Sequence, residues 1–360
     1  MIFGIMPRRI DNSKTVSAEQ AQRNAHLIAS GAIVFQVARV MVRTGIFACI
    51  SSEGRTMEEI AASTGLPLYG VKVLLEASLT ARTVEKKDGL WSLSKTGWFL
   101  LNDPMVKVDM DFNHDVNYRG FFYLEESVRN GKPEGLKTLG EWPTIYEGLS
   151  SLEPQVRKSW FAFDHFYSDS SFGKALEIVF ATHPARILDI GGNTGKWAMQ
   201  CTSYDPAVEL TIMDLPQQIG LMKENTASFR HRDRISGYPA DILDINTVFP
   251  TGYDVVWMSQ FLDCFSSAQA AGILERARKA LADGGRIFIM ETLWDRQKYD
   301  TAAFDLTQIS LYFTVMANGN SKMFSTDDLV SCIREAGLSV AAIHDDIGYG
   351  HSILECVPEK

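Results

Sequence analysis

The stretch that decides the fold is ARILDIGGNTGK, residues 185–196: an apolar run, an acid near its end, and a glycine turn leading into a new segment. Three nucleotide-binding folds place a glycine turn after a first strand, and spacing separates them. A phosphate-cradling Walker loop needs a glycine five residues before Gly195 and a Ser or Thr after the Lys. Ile190 and Trp197 stand there instead. A G-x-G-x-x-G dinucleotide turn fails too, because Asn193 and Lys196 fill its second and third glycine positions. The remaining pattern, D-x-G-x-x-x-G, suits a cofactor without phosphates. Gly191, Gly192 and Gly195 let the backbone approach a ligand, and Asp189 offers a carboxylate to a positively charged amino group.

Downstream, VELTIMD (residues 208–214), YDVVWM (253–258) and GRIFIME (285–291) are further apolar runs, with helical stretches such as 267–281 between them. Buried strands separated by helices predict a parallel sheet covered on both faces, an α/β fold of Rossmann type. The second run ends in Asp214, about twenty residues after the turn, where a carboxylate accepts both hydroxyls of a ribose. The plainer reading of Asp214 is a loop acid or a helix cap before Leu215. Asp241, in YPADILD, follows another strand. It is read either as a contact to an adenine amino group or as a turn residue.

Upstream the pattern is different. Residues 17–47 read as one or two helices with a broad apolar stripe that includes Leu27, Ile28, Ile33, Val37, Val40 and Met41. So wide a stripe needs a partner surface, and a subunit interface is favoured over an internal core. Thr56 and Glu59 form a capping box, and Gly65 supplies a helix stop. A second helix follows, then a hairpin turning at Asp88-Gly89. Helix, helix and hairpin make a winged helix. Its recognition helix carries only Lys72 and a late Arg82, too little basic character for a DNA reader. Residues 103–170 are aromatic-rich and partly helical. Most such rings are core, and some line a pocket for a flat molecule.

A net charge of −9 argues against nucleic-acid and anionic-membrane partners, since both need a basic face. The five cysteines are scattered and odd in number, with no C-x-x-C pair, as expected of reduced thiols in the cytoplasm. The apolar runs are too short for a membrane span, and the first residues do not read as a signal peptide. No metal-ligand spacing stands out; His344-Asp345-Asp346 reads as a polar loop.

These motifs resemble the O-methyltransferase family of plants and bacteria that acts on small, often aromatic hydroxyl compounds. LDIGGNTG (188–195) is similar to its first motif, MDLPQ (213–217) to its D-L-P segment, and ALADGGRIFIME (280–291) to its post-helix strand. TMEEIAASTGL (56–66) and WSLSKTG (91–97) resemble its dimerisation domain, so the likeness spans nearly the whole chain. The resemblance implies S-adenosylmethionine as cofactor, a homodimer interlocked through the N-terminal helices, and a small-molecule methyl acceptor. It implies a winged-helix dimerisation domain over 1–102, a helical linker contributing to the substrate pocket over 103–175, and a Rossmann-like catalytic domain over 176–360. Cofactor roles carry over to Asp189, Gly191, Gly192, Gly195, Asp214, Leu215, Asp241 and Ile242. Ser259 and Gln260 lie where the family usually places a basic residue near the cofactor.

One departure bears on the chemistry. The family's catalytic His lies in an L-H-D-W segment, and without a gap Asp263 fills its place in QFLDCF (260–265). An ordinary aspartate, with a pKa of ~3.9, is a weak base until burial raises it. Other candidates are His165 in FDHFYSD, His351 in GYGHSILE and Glu291 at a strand end; a lone His among aromatics is more often a packed core residue. Phe163, Tyr167, Tyr312 and Met316 are expected to line the substrate pocket, although Met and aromatics at helical spacing are commonly core. With the His replaced, methylation of carbon or nitrogen is the first alternative. A metabolite-sensing protein without catalysis is the second.

Overall fold

The computed structural model describes residues 16–359, the side chains of His165, Tyr167, Ser168 and Asp169 excepted. The chain forms two compact units, Asn12–Asp115 and one containing Val116–Lys360.

In the first unit, Ser17 caps α1 (Ala18–Ala29) and α2 (Gly31–Arg43) follows directly. The Thr56–Glu59 capping box starts α3 (Met57–Thr64), which ends at Gly65 in the left-handed conformation. After α4 (Leu68–Thr80) come β1 (Val84–Lys87) and β2 (Leu90–Leu93), paired antiparallel. Asp88 and Gly89 between them both have positive φ, 50° and 82°, as a type I′ turn requires. Met41, Phe47, Ile60, Val71, Leu75 and Trp91 form this unit's core. In contrast, α1 buries none of its residues, and Leu27, Ile28, Ile33 and Val40 are exposed.

The second unit opens with helices, of which α5 (Pro154–Asp169) and α6 (Phe172–Phe180) lead into the sheet. Then come β3 (Arg186–Ile190), α7 (Lys196–Tyr204), β4 (Glu209–Asp214), α8 (Pro216–Thr226), β5 (Ile235–Pro239) and β6 (Tyr253–Ser259). The chain continues through α9 (Ser267–Ala280), β7 (Leu281–Glu291), α10 (Asp300–Ile309), α11 (Thr326–Glu335), β8 (Leu338–Ile347) and β9 (His351–Pro358). The seven strands are ordered β5-β4-β3-β6-β7-β9-β8. Strands β3 to β7 run parallel, whereas β9 is antiparallel to both β7 and β8.

Alternation along the central strands sets the two faces. Leu188, Ile190, Val256, Met258, Ile287 and Ile289 pack toward α9 and α11. Ile187, Val255, Trp257, Phe288 and Met290 pack toward α6 and α7. Each fully buried side chain of this kind contributes about 1.5–3 kcal/mol, so both faces commit the register.

Two expectations are corrected here. The sheet is mixed, because the β8–β9 hairpin adds an antiparallel edge, and residues 344–346 lie largely in β8 and not in a polar loop. The edge position explains both: one side of β8 has no strand neighbour, so charged residues are tolerated there. Asp345 is held by Arg296 at 2.6 and 2.7 Å and by Ser352 at 2.7 Å.

Candidate functional site

β3 has β4 on one side and β6 on the other, so the chain leaves its C-terminal end in a cleft between oppositely directed connections. The glycine turn fills that position. Gly191 has φ +77°, and a Cβ there would stand 2.2 Å from the Phe261 ring. A Cβ on Gly192 would stand 2.5 Å from Asp189 Oδ2. Neither position admits a side chain. Gly195 begins α7. The Asn193 N–H donates to Asp214 Oδ2 at 2.9 Å, and the Leu215 N–H donates to Oδ1 at 2.7 Å. Asp214 thus fastens the turn to β4, with lone pairs left on both oxygens. Burial raises its carboxyl above the usual range, and these two N–H groups oppose the rise.

Asp189 is 2% exposed, and its Oδ2 has no hydrogen-bond partner. Burial, with the charge of Asp214 added, pushes its carboxyl up to about 8. A cation beside it would restore its ionisation. Asp189, Gly191, Gly192, Ser259 and Gln260 wall a notch of about 100 Å³, joined by Asp164 from α5. Trp197 stacks on Trp257 at 4.4 Å along the same wall. Asp241 and Ile242 are not among the walls. Asp241 Oδ1 accepts from the Leu243 N–H at 2.9 Å, and the Ile242 carbonyl accepts from Arg276. Local hydrogen bonds make this segment a turn.

Beyond Gln260, a short 3₁₀ turn, Leu262–Cys264, presents Asp263. Glu291, at the end of β7, supports that turn: its Oε1 accepts from the N–H groups of Phe261 at 3.1 Å and Leu262 at 2.9 Å. Its Oε2 has no partner. Asp263 is 6% exposed; burial, reinforced by the charge of Asp164, pushes its carboxyl up to about 7. Burial and Asp263 raise Glu291 well above the carboxylate range. The two buried carboxyls thus oppose each other's ionisation, and Asp263 is poised to take or give a proton.

Tyr312 closes the far side, its hydroxyl accepting from Trp160 Nε1 at 2.7 Å. Tyr146 and Tyr312 are both raised by burial. The helical spacing that includes Tyr312 and Met316 is not one regular helix: α10 (Asp300–Ile309) stops short of them, and Phe313–Ala317 form a π-helical turn. Met316 in that turn is fully buried, its sulfur packed so closely on Gly120 that a Cβ there would lie 2.0 Å away. Phe163 is half-buried on α5 beside Asp164. The side chains of His165 and Tyr167 lie outside the described residues.

His351 contacts Ser171 and Gln260, behind the notch. It is fully buried, its Nδ1 lies 2.9 Å from Ser171 Oγ, and its Nε2 lies 2.9 Å from Gln260 Oε1. Burial pushes the ring down to about 4, so it is neutral at pH 7. Sequence reading passed over Asp164, Tyr146 and Cys264. The first stands one residue from His165 in the same quoted motif, where the histidine drew attention from it. Cys264 is the chain neighbour of Asp263 in QFLDCF, whereas Tyr146 carries no signal in spacing, because only the tertiary fold brings it to this turn.

A larger depression, about 830 Å³, lies at the opposite end of the strands, lined in part by Lys174, Asp254, Asp283, Arg286 and Glu355. It contains none of the residues above, and its basic groups are ion-paired, Lys174 with Glu177 and Arg286 with Glu355. Among the described residues, no three His, Cys, Asp or Glu side chains are grouped to hold a metal ion.

A Rossmann-like sheet with this phosphate-free turn, its two strand-end acids and a half-buried third acid defines an S-adenosylmethionine-dependent methyltransferase. The chain belongs to the O-methyltransferase domain family, which matches residues 121–338, and a Dimerisation2-like domain matches residues 22–91. It is 24% identical over 316 residues to the L-tyrosine C(3)-methyltransferase of Streptomyces lavendulae, covering 86% of this chain and 84% of that protein. Among solved structures it is similar to the mitomycin 7-O-methyltransferase, with TM-score 0.70 and 20% identity over 94% of this chain and 98% of the other. Human N-acetylserotonin methyltransferase in complex with S-adenosylmethionine aligns with TM-score 0.65 and 19% identity, over 96% and 100% of the two chains.

Proposed function

We propose that the enzyme methylates a phenol-like hydroxyl of a small aromatic molecule, with Asp263 as general base. The observation that carries this reading is the burial of the Asp263 carboxyl, which raises it above the usual range, in the place where the family carries its His. S-adenosylmethionine supplies an electrophilic sulfonium methyl. The residues fit it: the unpartnered Asp189 Oδ2 answers an ammonium, and Asp214 keeps lone pairs for ribose hydroxyls. Asp263 accepts the hydroxyl proton as the oxygen attacks, and the aromatic walls keep water from the reacting atoms. Glu291 holds the turn that bears Asp263 through two N–H groups, and so fixes where the base stands.

The likeness to a tyrosine C(3)-methyltransferase supports a second reading, methylation of a ring carbon beside a phenolate. The same base serves both. A panel of small phenols incubated with labelled cofactor tests the proposal, and NMR of the product separates an O-methyl from a C-methyl group. No transfer to any phenol, with S-adenosylhomocysteine still bound, would return the acceptor to amines or to a sensing role.

We further propose a winged-helix dimerisation domain over 1–102, a pocket-forming linker over 103–175 and a catalytic domain over 176–360. The Dimerisation2-like match and the uncovered apolar residues of α1 and α2 support a homodimer. Light scattering on the purified protein checks it; a monomer at micromolar concentration counts against it. The five unpaired cysteines support a reducing, cytoplasmic compartment.

A further inference from the structure

His351 is unused by the chemistry above, yet it is built into the cofactor notch from behind. It opens β9 and is fully buried between the end of α5 and the end of β6. The carboxamide oxygen of Gln260 faces Nε2 at 2.9 Å, a contact that the Nε2–H tautomer satisfies with Nε2 as donor. Nδ1 then accepts from the Ser171 hydroxyl at 2.9 Å. Burial pushes the ring down and keeps it neutral, the Ile347 backbone opposing, so Gln260 and Ile347 compete for a single ring proton.

The consequence falls on Gln260. Its backbone is left-handed, φ +46°, and its N–H donates to the Met290 carbonyl at 2.9 Å. With Oε1 turned to His351, the Nε2 hydrogens face away from the ring. Gln260 walls the notch, and no described group accepts a hydrogen bond from its Nε2. The hairpin that carries His351 is itself braced. Gln297 Nε2 donates to the carbonyls of Leu293 at 2.7 Å and Gly350 at 2.8 Å, and Tyr349 stacks on Phe166 of α5 at 5.0 Å.

We propose that His351 is a positioning residue: it locks the Gln260 carboxamide so that its Nε2 hydrogens meet the carboxylate of the cofactor's amino-acid tail. The notch then answers both charges of that tail, Asp189 taking the ammonium and Gln260 the carboxylate. The inference rests on the reading of the notch as the S-adenosylmethionine site.

Calorimetric titration with two probes tests it. S-adenosylhomocysteine carries the amino-acid tail, and 5′-methylthioadenosine lacks it. His351→Gln places an amide nitrogen where Nε2 stands; His351→Asn places one where Nδ1 stands. His351→Asn is expected to weaken S-adenosylhomocysteine about tenfold, as loss of an oriented hydrogen bond does. His351→Gln should stay within about threefold of wild type, and neither should change 5′-methylthioadenosine binding. The double variant His351→Asn/Gln260→Ala should bind no more weakly than Gln260→Ala, because the two act as one unit. Equal loss in the Asn and Gln variants, or equal loss of both probes, overturns the proposal and leaves a packing role.

Long-range ¹H–¹⁵N spectra of the wild-type protein give an independent test that needs no variant to fold. The Nε2–H tautomer is expected, and the Nδ1–H tautomer overturns the orientation. A wild-type protein that binds neither probe removes the cofactor site itself. Wild-type binding with unaffected variants removes only the role of His351.

Discussion

The two ends of the cleft bury an acid each, and the same physical cause produces opposite uses. At the cofactor end, Asp189 is pushed up to about 8, mainly by burial, and its Oδ2 has no partner. At the acceptor end, Asp263 is pushed up to about 7, again mainly by burial, and its named charged neighbour is another acid, Asp164. In the proposed complex a cation answers Asp189, which then becomes an ordinary ion-paired carboxylate. Among the described residues, the charged group that acts on Asp263 is another carboxylate, so its pKa stays raised and it can exchange a proton. In this reading, a raised pKa on one side belongs to a residue that binds a cation. On the other it is the working state.

The largest expected effect breaks this contrast at the acceptor end. Asp263→Asn should lower kcat/KM roughly 10²–10⁴-fold while S-adenosylhomocysteine affinity stays within a factor of about two. The wild-type pH profile supplies the sign. The carboxyl must be ionised to accept a proton, so kcat/KM should rise as pH passes upward through about 7. In Asp263→Asn that limb should vanish. If the limb persists unchanged in the variant, the base lies elsewhere, with His165 the remaining candidate from the sequence.

The ends also differ in how plainly the sequence declares them. The centre of the proposed cofactor end lies within about thirty residues, although Asp164 and Gln260 complete its walls. Asp189, the glycine turn and Asp214 lie on consecutive strands of a parallel sheet, and their contacts follow from β3 pairing with β4. Spacing alone therefore singles out these three groups, whereas Asp241 and Ile242, singled out in the same way, do not line the notch. The acceptor end joins residues as distant as Trp160 and Tyr312, 152 positions apart. No periodicity encodes such a meeting. The π-helical turn at 313–317 shifts the side chains that follow α10, so Met316 lies in the core, a displacement that helical spacing cannot foretell. The β8–β9 hairpin escaped notice for a similar reason. Its charged residues mimic a loop until Arg296 is seen beside Asp345.

Asp189→Asn sharpens the comparison through stability. It should weaken S-adenosylhomocysteine at least about tenfold, because the ammonium loses its counter-charge. It should also stabilise the free protein near pH 8. The folded carboxyl has its pKa raised to about 8 from an ordinary value of 3.8. Its favourable contribution is present below about pH 4 and is lost as pH climbs toward 8, since ionisation favours the unfolded chain across that window. Asparagine stays neutral throughout. Thermal melts of the ligand-free proteins should therefore diverge between pH 4 and pH 8, the variant melting higher at the upper end. Parallel melting curves at both pH values would mean that Asp189 is already ion-paired without ligand.

Asp214→Ala removes the acceptor for the Asn193 and Leu215 N–H groups along with the proposed ribose contact. About a tenfold loss of S-adenosylhomocysteine affinity is expected, with little effect on the Asp263 pH limb, because the residue belongs to the other end. Titration and pH–rate measurements on one preparation read both.

The smallest expected effect belongs to Tyr312→Phe. It leaves the buried Trp160 Nε1 without the hydroxyl that accepts its hydrogen bond, at a cost of about 1–3 kcal/mol in denaturant unfolding. Cofactor affinity should not move, since neither residue walls the notch. The acceptor KM should rise, because the bond holds α5 and the segment after α10 at a fixed separation around the acceptor space. A variant that loses cofactor affinity in step with stability would show the two ends unfolding together, and the contrast between them would then be one of chemistry alone. A variant that loses only acceptor binding would show that the acceptor wall gives way while the strand-end cofactor site holds. That outcome is the one expected where contacts cross long stretches of chain and the cofactor site rests on adjacent parallel strands.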